Sequence, residues 1–218
     1  MSDSEDDDVP RLSAETMAAL QDFYKEQAAE EEKLQQAKEG KVDMESVTLK
    51  EDWQLSQFWY DDKTATVLAK EALSLAGENG RIACISSPTA YKKLRQLKPN
   101  SCVAKCMEYD ERFRIYGDDF VFYDYNAPTN FPVEWQNSFD VVIADPPFLN
   151  EDCLSKTAVT VRFLTKDKVI LCTGAVMEDL AKRLLKVEKC SFLPKHANQL
   201  QNEFRCYINY KSENLNKS

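Results

Sequence analysis

The run Asp145-Pro146-Pro147-Phe148 is where this sequence is best equipped to do chemistry. Two consecutive prolines fix φ at both positions and remove two N–H donors, so the backbone there is rigid and extended. It follows the apolar stretch Ser-Phe-Asp-Val-Val-Ile-Ala at 138–144 and holds an acceptor carboxylate and an aromatic face at fixed separation. An amine nucleophile needs that arrangement. Asp145 and backbone carbonyls can accept its N–H bonds and leave the lone pair aimed at a methyl donor, while Phe148 packs on the target and attracts positive charge. The gain is mostly orientation, which supplies about 7–11 kcal/mol of barrier reduction in well-aligned systems. The competing reading is a rigid structural turn.

Three further segments end apolar runs in a way that invites a ligand. They are Ser86-Ser87-Pro88-Thr89, Glu108-Tyr109-Asp110 and Asp124-Tyr125-Asn126. Acids commonly close strands as turn residues, but with Glu108, Asp124 and Asp145 three successive strands end in a carboxylate, which forms an organised pattern. An acid at the end of a second strand can accept hydrogen bonds from both ribose hydroxyls, about 20 residues after the first turn. Glu108 stands 20 residues after Pro88. The Gly-x-Gly-x-x-Gly turn is missing, so the backbone cannot approach a pyrophosphate closely, and sites for NAD, FAD or ATP are disfavoured. A nucleoside cofactor without phosphates remains, of which S-adenosyl-L-methionine is the common one.

The elements that must position these residues alternate. Strands are expected at 81–87, 102–109, 119–125, 138–144 and 168–172, with helices at 61–76, 89–97, 151–164 and 175–186 and a short helix or turn at 110–116. Two closing strands, 187–192 and 203–210, flank the polar loop 194–202 without a crossover helix. This spacing predicts an α/β fold, a mostly parallel sheet with helices on both faces and an antiparallel edge pair. In such a sheet ligands bind outside the carboxyl ends of the strands, where strand order reverses. Ahead of it, Ser13 caps a helix over 14–39 stopped by Gly40. Its first half (Met17, Leu20, Phe23, Tyr24) is spaced to dock, and its polar second half to project into solvent. The acidic block Ser2–Asp8 opens a disordered tail over 1–12. A connector to residue 50 then leads into the domain at 51–212.

Composition narrows the class. The 218 residues carry a net charge of −9, with 43% hydrophobic residues, enough for a substantial core. Residues 1–40 hold 12 acidic and 4 basic side chains, a net of −8, whereas 150–218 is net +4. A nucleic-acid binder normally carries a strong basic patch, so this balance disfavours DNA and RNA. The seven cysteines include no Cys-x-x-Cys pair, and there is one histidine, His196. That excludes a zinc cage, and buried thiols are expected. No apolar run is long enough to span a membrane, and the acidic N-terminus fits neither signal nor transit peptide. A cytoplasmic location follows as an expectation.

With these residues in view, Asp145-Pro146-Pro147-Phe148 resembles the (Asp/Asn/Ser)-Pro-Pro-(Tyr/Phe/Trp) motif of seven-stranded, S-adenosyl-L-methionine-dependent amino-methyltransferases. Those enzymes methylate exocyclic amines of adenine or cytosine, glutamine amides and some lysines. The match runs from Gln57-Phe58-Trp59-Tyr60 to the closing strand pair, nearly all of 50–210. Over that length the chain is similar to the eukaryotic lysine methyltransferases acting on translation elongation factor one-alpha, a group once labelled adenine-specific DNA methyltransferases. The resemblance implies a Rossmann-like seven-stranded sheet and S-adenosyl-L-methionine as cofactor. It also implies elongation factor one-alpha as a protein substrate; the acidic charge balance makes a basic partner the expectation, with neither nucleic acid nor membrane contacted by a monomer. Carried over by position, Asp145, Pro146, Pro147 and Phe148 form the catalytic loop, with Asp145 also reaching the cofactor. Glu108 and Tyr109 take the ribose, and Asp124 and Tyr125 the adenine. Ser86, Ser87 and Pro88 line the methionine side, where the family's usual glycines are absent. Phe58, Trp59 and Tyr60 form a lid or, alternatively, core aromatics of the first helix. No metal is expected, since the cysteines and the single histidine offer no closely spaced ligand set. An adenine-specific nucleic-acid enzyme sharing the tetrapeptide and a non-catalytic interaction module are the two alternatives.

Overall fold

The computed structural model describes residues 12–44, 47, 49–198 and 202–216. The acidic block Ser2–Asp8 lies outside them. The chain divides into two compact units between residues 47 and 48. The first is built on α1 (Ala14–Lys38), a run of strong helix formers that Ser13 starts by accepting the Thr16 N–H at 3.1 Å.

The second unit holds the sheet. Its elements run α2 (Asp62–Ala76), β1 (Arg81–Ile85), α3 (Pro88–Leu97), β2 (Val103–Glu108), β3 (Phe120–Phe122), β4 (Phe139–Ala144), α4 (Glu151–Leu164), β5 (Thr165–Gly174), α5 (Glu178–Leu185), β6 (Glu188–Lys189) and β7 (Phe204–Ile208). Seven strands lie in the order β3-β2-β1-β4-β5-β7-β6. β1 to β5 pair in parallel, and β7 runs antiparallel between β5 and β6. The expected architecture is therefore present, with its reversal point between β1 and β4.

Period-two alternation sorts each strand's side chains between two layers. Ala83, Ile85, Met107, Val142, Leu171 and Tyr207 pack with Leu154, Val161, Leu180 and Leu185 of α4 and α5. The intervening residues Ile82, Cys84, Val141 and Ile143 lie on the opposite face, the one α2 and α3 cover. All seven cysteines are free and buried, as the apolar runs around them suggest.

Several elements are shorter than their sequence pattern. The third strand is expected over 119–125 but stops at Phe122, because the Asp124 carboxylate accepts the Asn126 N–H at 2.8 Å and turns the chain. Its start is trimmed by a 3-10 segment over Glu111–Asp119, kinked at Gly117. The sixth strand keeps only Glu188–Lys189, since the Phe192 N–H leaves the sheet to bond Leu215 O at 2.9 Å. The 175–186 helix begins as a 3-10 turn, Ala175–Met177. Among the described residues no helix is long and apolar enough to cross a membrane.

Candidate active site

The site residues are carried just past the last ladder bonds of adjacent parallel strands. The Ser86 N–H bonds Met107 O at 2.8 Å, Tyr123 N–H bonds Glu108 O at 3.0 Å, and Asp145 N–H bonds Ile85 O at 3.0 Å. β1, β2, β3 and β4 thus end level, and the segment after each strand faces one crevice. Ser86 sits there with φ +49°. A non-glycine residue in that left-handed region costs about 1–2 kcal/mol. The missing glycine is therefore missing in composition only, since the backbone adopts the glycine conformation anyway.

Two adjoining cavities occupy the crevice. The first is lined by Phe58, Trp59, Tyr60, Ser87, Pro88, Asp145 and Pro146, together with His196 and Phe204. The second, about 260 Å³, is lined by Tyr109, Tyr123, Asp124, Tyr125 and Phe148. That is just below the roughly 300–1,000 Å³ of small-molecule pockets. Leu55, Ser86, Glu108 and Pro147 belong to both walls. The Asp-Pro-Pro-Phe loop therefore straddles the division. Asp145 faces one cavity, while Phe148 faces the other, edge-on to Tyr125 with ring centroids 5.9 Å apart. Behind the loop, a Cβ on Gly174 would come within 2.9 Å of Leu149 Cδ1, so the glycine lets Leu149 seat and brace the turn.

Two carboxyls here resist ionisation. Burial lifts Glu108 to about 7; bonds from the Tyr109 and Asp110 N–H groups oppose that rise. Glu108 is 7% exposed, and its second oxygen has no partner among the described residues. Asp145, ringed by protein yet open to the cavity, is also lifted to about 7. Burial is the main cause and repulsion from Glu108 adds to it, against the pull of the Tyr60 hydroxyl. That hydroxyl is itself buried beside Asp145 without closing a full hydrogen bond, and burial with the adjacent acid pushes it well above its ordinary value. The Ser87 hydroxyl, at the start of α3, is likewise buried and unpartnered. Among the described residues no cluster of metal-ligating side chains forms.

The aromatic cluster before α2 proves to be a wall of the first cavity. Tyr60 is 5% exposed and Phe58 36% exposed, ahead of the α2 cap at Asp61. A clamp that the sequence did not reveal holds this wall down. Gln57 Nε2 donates to Asp110 Oδ2 at 2.9 Å, and Arg112 donates to both Asp110 oxygens and to Gln57 Oε1 at 3.0 Å. Burial alone would raise Asp110, but Arg112, Gln57 and its own turn N–H hold it below the usual carboxylate range. Arg112→Ala is expected to destabilise the fold by about 2 kcal/mol in urea unfolding. That is less than the roughly 3–5 kcal/mol of fully enclosed pairs, because the Arg112 side chain is 33% exposed. Asp110 is a depressed carboxyl, so the loss should be full above about pH 4 and shrink as acid protonates it. An equal loss at all pH values would assign the effect to packing instead.

Comparison with known proteins agrees with this geometry. A family model described as probable N6-adenine methyltransferase matches residues 51–212. EEF1A lysine methyltransferase 1 of Mus musculus is 53% identical over 97% of each chain. A protein-lysine N-methyltransferase of Caenorhabditis elegans is 46% identical over 96% of this chain and 98% of its own. Among solved structures, the branched-chain polyamine synthase of Thermus thermophilus, in complex with N4-aminopropylspermidine and 5'-methylthioadenosine, has the same fold. It superposes with a TM-score of 0.55 over 87% of this chain and 67% of its own, at 12% identity. With near-complete coverage on both sides, the chain belongs to the family of protein-lysine N-methyltransferases that includes EEF1A lysine methyltransferase 1.

Proposed function

We propose that the chain methylates a lysine ε-amine of a basic protein, translation elongation factor one-alpha, using S-adenosyl-L-methionine. The observation that carries this reading is the Asp145–Phe148 loop standing between two cavities, with the buried Glu108 on their shared wall. The residues present suit the cofactor. Glu108, beside Tyr109, has a free carboxylate oxygen for ribose hydroxyls, and Asp124 and Tyr125 flank an adenine-sized space. Ser86 to Pro88 offer the left-handed turn, the unpartnered Ser87 hydroxyl and the start of α3 to an anionic tail. Phe148, on Tyr125's side of the loop, would pack along the cofactor.

When bound, the cofactor supplies an electrophilic methyl on a sulfonium. The chain's own groups do the rest. A lysine ammonium titrates at roughly 10.4 in water, and desolvation against Phe58, Tyr60 and Phe204 lowers that value. Asp145 and the carbonyls of its loop then hold the neutral amine with its lone pair toward the methyl. Residues 51–212 constitute the catalytic domain in this reading, and the acidic N-terminal segment attracts the basic substrate. In this reading the protein is a monomer of the cytoplasm, and its free buried cysteines accord with that reducing compartment.

An adenine-directed activity is the second reading, favoured by the description of the matching family model and by the shared tetrapeptide. Binding of S-adenosyl-L-methionine by calorimetry would exclude a non-catalytic module. Incubation with labelled S-adenosyl-L-methionine and purified elongation factor, DNA or RNA is expected to label a lysine of the protein only. Equal labelling of DNA would defeat the proposal. Deleting residues 1–12 is expected to slow protein labelling modestly at low ionic strength. Near physiological salt the effect should vanish, because charges are screened within about 8 Å. An effect that grows with salt would remove the electrostatic account of substrate choice.

A further inference from the structure

The first cavity also holds the chain's single histidine, and nothing in the chemistry above uses it. His196 sits in the loop between β6 and β7, far from the site in sequence. Three backbone anchors latch that loop to the aromatic wall: Asp61 N–H to Lys195 O at 2.9 Å, Ala197 N–H to Trp59 O at 2.8 Å, and Lys195 N–H to Thr64 Oγ1 at 2.9 Å. The imidazole is held between the Tyr60 ring, 5.1 Å away, and the Phe204 ring, 4.7 Å away. Packing fixes it, so no hydrogen bond has to. Neither ring nitrogen has a partner among the described residues. The ring is half-buried and lines the first cavity.

A lysine arrives as an ammonium and must lose a proton before its nitrogen can attack. Asp145 is poorly suited to keep that proton. Once protonated, it would no longer be an anionic acceptor for the amine it must orient. Glu108, across the cavity, is committed to the ribose side. Tyr60 stays protonated, because burial and Asp145 both resist its ionisation. Burial also holds His196 below its ordinary value, against the opposing charges of Glu51 and Asp61, so the ring starts neutral. Those two acids then steady it once it is charged.

We propose that His196 is the proton acceptor of the target-amine pocket, taking the proton that the substrate lysine sheds and releasing it to water. The inference rests on the lysine reading. One ammonium N–H bond breaks, its electron pair stays on nitrogen as the attacking lone pair, and one N–H bond forms on the imidazole. That bond breaks in turn when the imidazolium gives the proton to solvent, so the ring is regenerated for each methyl added.

The test is His196→Phe, which keeps an aromatic ring between Tyr60 and Phe204 but has no nitrogen. At about pH 7 its kcat is expected to fall at least tenfold, since positioned bases typically contribute about 10²–10⁴-fold. Calorimetric affinity for S-adenosyl-L-methionine should stay within about twofold, which also reports a folded site. The deficit should close as pH rises toward the lysine's own value of roughly 10.4, where the amine arrives deprotonated. In His196→Gly, added imidazole should restore rate in proportion to its concentration. A His196→Phe protein within about twofold of wild type at every pH would overturn the proposal. So would a uniform deficit that imidazole does not relieve, because that is the signature of packing alone. Absence of lysine labelling by the wild-type chain would instead overturn the function beneath it, and the wild-type control separates the two failures.

Discussion

Asp145→Ala is expected to give a folded protein that binds S-adenosyl-L-methionine nearly as well as wild type but turns over at least about a hundredfold more slowly. The fold should survive because the loop does not depend on this side chain. Its geometry comes from Pro146 and Pro147, from the Asp145 N–H bond to Ile85 O at 3.0 Å, and from Leu149 seated against Gly174. Folding should even gain at pH values above about 7, since a carboxyl that burial and Glu108 push up to about 7 is removed. What disappears is the acceptor that aims the amine. Far-UV circular dichroism, calorimetry with S-adenosyl-L-methionine and a labelled-methyl assay on elongation factor together decide the matter. Turnover above about a tenth of wild type would show that orientation is supplied elsewhere and would sink the assignment.

What the sequence made legible was local. β4 was clear because Val-Val-Ile-Ala at its end is an unbroken apolar run followed by Asp145 and two prolines, and both facts act within a few residues. The strand-end acids were found for the same reason, and Glu108, Asp124 and Asp145 do line one crevice. Contacts that join distant parts of the chain stayed hidden. Gln57 meets Asp110 across 53 residues, and no spacing rule connects a glutamine before one helix to an aspartate after a strand. His196 reads as a polar loop residue until the antiparallel return of β7 carries its loop onto Tyr60. Ser86 misled for a different reason. Its side chain implied an altered first turn, whereas its φ of +49° keeps the turn a glycine would make. The serine thus retains the backbone shape and accepts the strain, an arrangement typical of ligand sites. The division of the Asp-Pro-Pro-Phe loop between two cavities was likewise invisible, since a rigid motif does not say which way each end faces.

The second large effect is expected at Glu108, where stability and binding should move in opposite directions. In Glu108→Gln the new amide oxygen can still accept the Tyr109 N–H that the carboxylate accepts at 2.9 Å, so the local turn is retained. In the wild-type apo protein the carboxyl titrates at about 7 instead of 4.5, because burial disfavours its charge. A carboxyl raised in the folded state contributes stability that is fully present below the unfolded value and lost as pH rises through the folded one. At about pH 8 the wild type therefore carries a penalty on the order of 3 kcal/mol, which a neutral glutamine does not. The variant should unfold at higher urea at that pH, and the two proteins should converge near pH 4.5, where both side chains are neutral. Cofactor affinity should fall at the same time, since a charged acceptor for the ribose hydroxyls is worth about 1.5–3 kcal/mol and its loss costs at least about tenfold in Kd. Wild-type affinity should itself tighten from about pH 6 to about pH 8, as the carboxyl ionises opposite a cationic ligand, and the glutamine variant should lose much of that slope. Unchanged affinity in the variant would move the ribose contact off Glu108. Asp110 is then a poor substitute, because both its oxygens are already taken by Arg112 and Gln57. Unchanged apo stability at about pH 8 would mean that water reaches the carboxylate freely. The two outcomes are linked by one cause: burial makes the charged carboxyl costly to the fold, and a ligand that donates hydrogen bonds to it offsets that cost.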